Sequence, residues 1–113
     1  MALKNLTIGN TNTELFDGTQ GESVAITVMF VTNTSGGVAT FTLYAIDYQD
    51  ANQTPRDTNT ILKEVSIEPG DTFTLDTEKL VLGYDPQTDT GDRIVAVGDT
   101  NAALQVTMSY VGL

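Results

Sequence analysis

The side chains in this sequence best equipped for chemistry are its carboxylates, which outnumber the basic groups 15 to 5. Three of them, Asp85, Asp89 and Asp92, crowd the stretch Gly83 to Asp92 (GYDPQTDTGD), and oxygen-rich loops bind Ca²⁺. Their spacing lacks the alternating Asp/Asn register and the distal Glu of an EF-hand loop. Asp-Pro and Gly-Asp are ordinary turn dipeptides, so a solvated turn is the expectation here. A second group, Asp47, Asp50 and Asp57, flanks a long polar segment, and two carboxylates suffice for glycoside hydrolysis. That reaction also needs one carboxyl kept protonated in a cleft, and nothing marks any of the three as buried. The tyrosines Tyr44, Tyr48, Tyr84 and Tyr110 offer rings for stacking on a sugar. Tyr44 and Tyr48 fall on the same side of one predicted strand, opposite Phe41, so a carbohydrate-binding surface is open to them. An outward tyrosine is also a preferred subunit-contact residue, and that is the stronger expectation.

What the sequence lacks narrows the chemistry further. With no His, Cys or Trp, the usual zinc sites, thiol chemistry and His-based acid–base catalysis have no residues to use. The reading is of a protein that is not an enzyme, with no catalytic residue, cofactor or metal. The formal net charge is −10, and Lys4, Arg56, Lys63, Lys79 and Arg93 are scattered. Nucleic-acid binding needs a clustered basic footprint, so nucleic acid is not an expected partner. The surplus acid reads as a solubility device that keeps many copies apart until they dock. No apolar run approaches a membrane span, and Met1 to Asn5 carries no apolar signal core. A soluble protein, made and used without Sec-type export or membrane partner, is the expectation.

The elements that must position these residues are strands. A chain of 113 residues predicts one domain, 1–113, with 1–22 as an N-terminal arm that either forms an edge strand or lies on a neighbour. The organising stretch is Ser23 to Tyr48, read as a long β-hairpin turning at Asn33 to Gly37. In its first arm Val24, Ile26, Val28 and Phe30 share one side, while Ala25, Thr27, Met29 and Val31 share the other. Neither side is polar, which predicts a mid-sheet strand with its second face covered, including by another subunit. In the second arm Phe41, Leu43 and Ala45 alternate with Thr40, Thr42 and Tyr44. The candidate interface residues are accordingly Met29, Val31, Tyr44, Ile46 and Tyr48.

Later segments repeat the pattern. Ile61, Val65 and Ile67 alternate with Leu62, Glu64 and Ser66, Glu68-Pro69-Gly70-Asp71 is a type II turn signal, and Phe73 and Leu75 point inward. The terminal strand commits Leu104, Val106, Met108 and Tyr110 to the core. The fold class predicted is all-β, a single antiparallel sandwich of seven to eight strands with immunoglobulin-like or jelly-roll topology.

Several phrases together resemble a known group: Asn33-Thr34-Ser35-Gly36-Gly37, Ile67-Glu68-Pro69-Gly70-Asp71-Thr72, Glu78-Lys79-Leu80-Val81-Leu82, Gly91 to Val97, and Val106-Thr107-Met108-Ser109-Tyr110. The pattern is similar to small β-sandwich virion proteins of tailed bacteriophages, which decorate or cement capsids or form tail and fibre parts. The resemblance implies a virion component assembled in the host cytoplasm. It implies a capsid decoration (cement) protein, typically a homotrimer, that bridges major capsid protein subunits on the outer shell. The alternatives are a tail, neck or fibre component, bound to another virion protein, and a carbohydrate-binding module.

Overall fold

β-Branched, aromatic and threonine residues favour extended backbone along most of this chain, and Gly, Asn, Asp and Pro interrupt them at turn spacing. The computed structural model describes residues 2–17, 23–49, 54–75, 80–88, 90–99 and 103–112. They form β1 Ala2–Ile8, β2 Thr13–Asp17, β3 Val24–Asn33, β4 Ala39–Ile46, β5 Thr60–Ile67, β6 Thr72–Leu75, β7 Leu80–Leu82, β8 Tyr84–Asp85, β9 Thr90–Gly91, β10 Arg93–Gly98 and β11 Leu104–Gly112. A short 3-10 turn, Asp57–Asn59, leads into β5.

One sheet has the order β1-β11-β3-β6, with β7 following β6 along the same edge of β3. The second has the order β2-β10-β4-β5, and β8 pairs with β9 in a small separate hairpin. The all-β antiparallel sandwich is therefore present, with eleven strands among the described residues rather than seven or eight. The excess comes from that hairpin and from the edge divided between β6 and β7. With β6 and β7 counted as one interrupted strand and the hairpin set aside, the chain winds in the orders 1-8-3-6 and 2-7-4-5. That winding is a jelly roll, not an immunoglobulin-like arrangement. β1 and β2 are edge strands, paired with β11 and β10, so residues 2–17 are built into the two sheets rather than reaching out as an arm.

The stretch Ser23 to Tyr48 is not a hairpin, because β3 and β4 belong to different sheets. Residues 34–38 carry the chain across the sandwich, and Asn33 makes the corner. It is fully buried, its Nδ2 donates to the carbonyls of Gly37 at 2.7 Å and Ile67 at 2.8 Å, and its Oδ1 accepts from the amide and hydroxyl of Ser35. The backbone of Asn33 also bonds Gly70 and Asp71, which fastens the β5–β6 turn beside the same corner. Met29 and Val31 of β3 and Phe41 and Leu43 of β4 all enter the one core cluster between the sheets. Crossing over buries these apolar sides against opposite sheets, whereas a flat hairpin would leave them side by side on one surface.

Bulges decide which side chains face that core. Ser109 lies opposite Val28 and Tyr110 opposite Ile26, so Thr27 is an extra residue on β3. Val24 and Ile26 are buried before it, Met29 and Val31 after it, and Phe30 is turned outward. In β5, Ile61 is extra between Thr60 and Leu62, and Lys63 and Glu64 together face Thr42 alone. Glu64 adopts φ 51°, a left-handed conformation, to make this second bulge. Leu62 rather than Ile61 therefore packs against the core, and Ile61 is exposed.

Candidate functional site

The core takes three of the five expected interface residues. Met29, Val31 and Ile46 are 1%, 0% and 2% exposed, so they offer no surface to a second subunit, and that expectation is corrected. For Met29 and Val31 the cause is the Thr27 bulge, which exchanges the inner and outer sides of β3. Tyr44 is half-buried on β4, opposite Val95 of β10 and Thr60 of β5. Tyr48 lies past the end of β4, where its amide donates to Asp92 Oδ1 at 2.9 Å.

The tyrosines do not gather into one platform. Tyr110 stacks edge-on against Phe16, ring centres 4.9 Å apart, at the margin of the core. Tyr84 donates its backbone amide to Ser23 Oγ. Tyr48 lines a cleft of about 380 Å³ between the end of β4, β7 and the start of β10, whose floor is Ile46, Leu80, Leu82 and Ile94. It also lines an adjoining shallow depression with Gln49, Asp85, Thr88 and Thr90. Tyr44 lines neither.

The carboxylates are occupied as local acceptors. Asp92 takes the amides of Tyr48 at 2.9 Å and Gly83 at 2.8 Å on its two oxygens, tying the end of β4 to the end of β7. Asp85 accepts from the amide of Gln87 and the hydroxyl of Thr88, an Asx turn. Asp47 accepts from the amide of Gln49, and Asp57 opens the 3-10 turn. Asp50 and Asp89 lie outside the described residues. Among the described residues no group of three or more His, Cys, Asp or Glu side chains could hold a metal ion, and no helix is long and apolar enough to cross a membrane.

A different surface stands out, the outer face of the five-stranded sheet. The strands of that sheet contain one charged residue, Lys4, and it turns inward with its Nζ 5.0 Å from the centre of the Phe16 ring. The strands of the other sheet carry Glu14, Asp17, Lys63, Glu64 and Arg93. The uncharged face has two characters. Towards Asn33 it is a hydroxyl and amide lattice, in which Thr7 donates to Gln105 at 2.7 Å, Thr107 donates to Asn5 at 2.8 Å, and Thr32 and Thr72 share a bond of 2.8 Å. In its middle Phe30, 40% exposed, stands alone between Thr107 and Thr74. The other end is more apolar, with Leu3, 70% exposed, and Val28 on either side of Ser109, and Val81, 60% exposed, in line with Val111.

The signal for this face was present in the sequence as the scarcity of charge along five strand segments. It was missed because unbroken alternation assigned Phe30 to the core side of β3. A scan against protein-family models finds no match, and neither the curated proteins nor the solved structures compared yield one.

Proposed function

We propose that this chain is a structural subunit without catalytic function, which works by docking on like-charged protein surfaces through the outer face of its five-stranded sheet. The observation that carries the reading is that, among the described residues, the strands of that sheet turn no charged side chain outward in a chain of net charge −10. Any two copies of such a chain repel, and so do this chain and another acidic subunit, unless the surfaces that meet carry no charge. An apolar patch held among satisfied hydroxyls is what a docking surface needs, since it can be dried at little polar cost.

The concrete form we propose is a bacteriophage capsid decoration protein that bridges major capsid protein subunits on the outside of the shell. Its sequence phrases support this, and the acid supports an outer position, because packaged DNA would repel such a subunit. A protein that binds only the assembled shell stabilises that state by its differential affinity, multiplied over many sites. Jelly rolls occur both in capsid and in lectin domains, so the topology is compatible with the proposal without deciding it.

Quantitative mass spectrometry of purified particles tests the reading. A copy number comparable to that of the major shell protein is expected. A few copies per particle would move the chain to the tail, neck or fibre, and its absence from particles would overturn the virion assignment.

A further inference from the structure

We infer that the uncharged face closes against the same face of a second copy of this chain, as a two-fold pair centred near Phe30. The inference rests on the docking reading of that face and names its partner in free solution, a reversible one that gives way when the face docks on a larger acidic surface.

Charge selects the partner. Against a basic surface, carboxylates on the face would attract, and a chain with 15 of them has none on the strands of this sheet. Their exclusion is useful where the approaching surface bears the same sign, and a second copy does so by construction. Polar satisfaction points the same way. The hydroxyls of Thr7, Thr107 and Thr32 are engaged sideways within the sheet, and Thr27 donates to the Ser109 carbonyl at 3.1 Å. Part of the polar lattice is therefore already paired within the sheet, which lowers the polar cost of covering it.

Size sets the strength. The two central strands of the face, β11 and β3, have 9 and 10 residues, and the edge strands are shorter. Four strands about 4.8 Å apart at about 3.3 Å per residue give a footprint of about 550 Å² per copy. A specific pair buries about 600–1,000 Å² per partner, so this contact is a reversible, concentration-dependent one. A face-to-face contact is isologous and closes at two copies, leaving neither copy's Phe30 exposed.

Salt dependence separates this contact from an ion-paired one. The bodies behind the faces repel at long range, and that repulsion is screened as the Debye length falls from about 30 Å at 0.01 M salt to about 3 Å at 1 M. Pairing therefore tightens as NaCl is raised over that range.

Sedimentation equilibrium on the full chain in NaCl tests the inference, using wild type, Phe30→Glu, Leu3→Glu and, on the other sheet, Ile61→Glu. All three sites are exposed, and unchanged melting temperatures establish that the variants fold. The expected result is a wild-type dimer that tightens with salt, loss of pairing in Phe30→Glu and Leu3→Glu, and retention in Ile61→Glu. A wild-type monomer at high protein and salt, a trimer, an oligomer that survives Phe30→Glu, or weakening by salt would each overturn it. Particle mass spectrometry keeps the two proposals separable. A chain that joins particles but never pairs overturns this inference alone, and one that pairs but is absent from particles overturns the virion assignment alone.

Discussion

Asn33 is the residue whose replacement gives the most informative test of the fold. Its side chain makes four hydrogen bonds from a site with no solvent exposure, two donated to the Gly37 and Ile67 carbonyls and two accepted from Ser35. In Asn33→Ala no water can reach the site to replace them, and at about 1 kcal/mol net for each bond the loss is about 3–4 kcal/mol. A domain of this size has a total stability of about 6–17 kcal/mol, so the variant folds with a much reduced margin. The expected fall in Tm is about 12–16 °C. Urea unfolding followed by far-UV circular dichroism and by tyrosine fluorescence reads the same quantity, with the midpoint about 2 M lower and the slope unchanged. Asn33→Asp sharpens the test. It keeps the acceptor for Ser35 but turns a carboxylate oxygen towards two carbonyl oxygens. Burial and those carbonyls raise the folded-state pKa of the new carboxyl above its unfolded value of about 3.9. The native state then binds more protons than the unfolded state between the two values, so stability falls as pH rises through that window and recovers as pH drops. The aspartate variant should be weaker than the alanine variant at pH 7 and regain ground in acid. A loss below about 1 kcal/mol in Asn33→Ala would refute the claim that this side chain holds the sheet-crossing corner.

Other substitutions probe the remaining joints. Glu64→Gly should stabilise the chain by up to about 1 kcal/mol, because glycine removes the cost of a side chain at φ 51°, and Glu64→Val should destabilise it; paired thermal melts decide the sign. Asp92→Asn replaces one of two acceptors facing backbone amides with a donor and should cost about 2 kcal/mol, with hydrogen exchange at Tyr48 and Gly83 accelerating first. Phe41→Ala empties a fully buried site and removes an edge-on contact with Phe73 at 5.7 Å, so a loss of about 3–5 kcal/mol is expected in chemical denaturation.

Strand existence was readable from local chemistry, since Val, Ile, Thr and aromatic runs between turn residues place β1, β3, β4, β5, β6 and β11 close to where they lie. So was the core face of β11, because its alternation runs unbroken from Leu104 to Met108. The two-sided apolar character of β3 was readable too, and it pointed correctly to a strand in mid-sheet, between β11 on one side and β6 and β7 on the other. The face that β3 leaves uncovered was not readable. Alternation fixes sides only relative to a neighbour in the same unbroken strand, and one bulged residue at Thr27 exchanges them for everything that follows. The candidate site shifted with that exchange, from Met29 and Val31 to Phe30 and Val28.

Composition and turn chemistry alone determined that this is an acidic, all-β chain without histidine or cysteine, for these are properties of residue type and near-neighbour spacing. The tertiary structure decided that β3 and β4 part company at Asn33, that the strands wind as a jelly roll, and that the uncharged segments assemble into a single face. Strand pairing joins residues as far apart as Ile8 and Leu104, and it is selected by the burial of whole sheets against each other, a term that no local stretch of sequence contains.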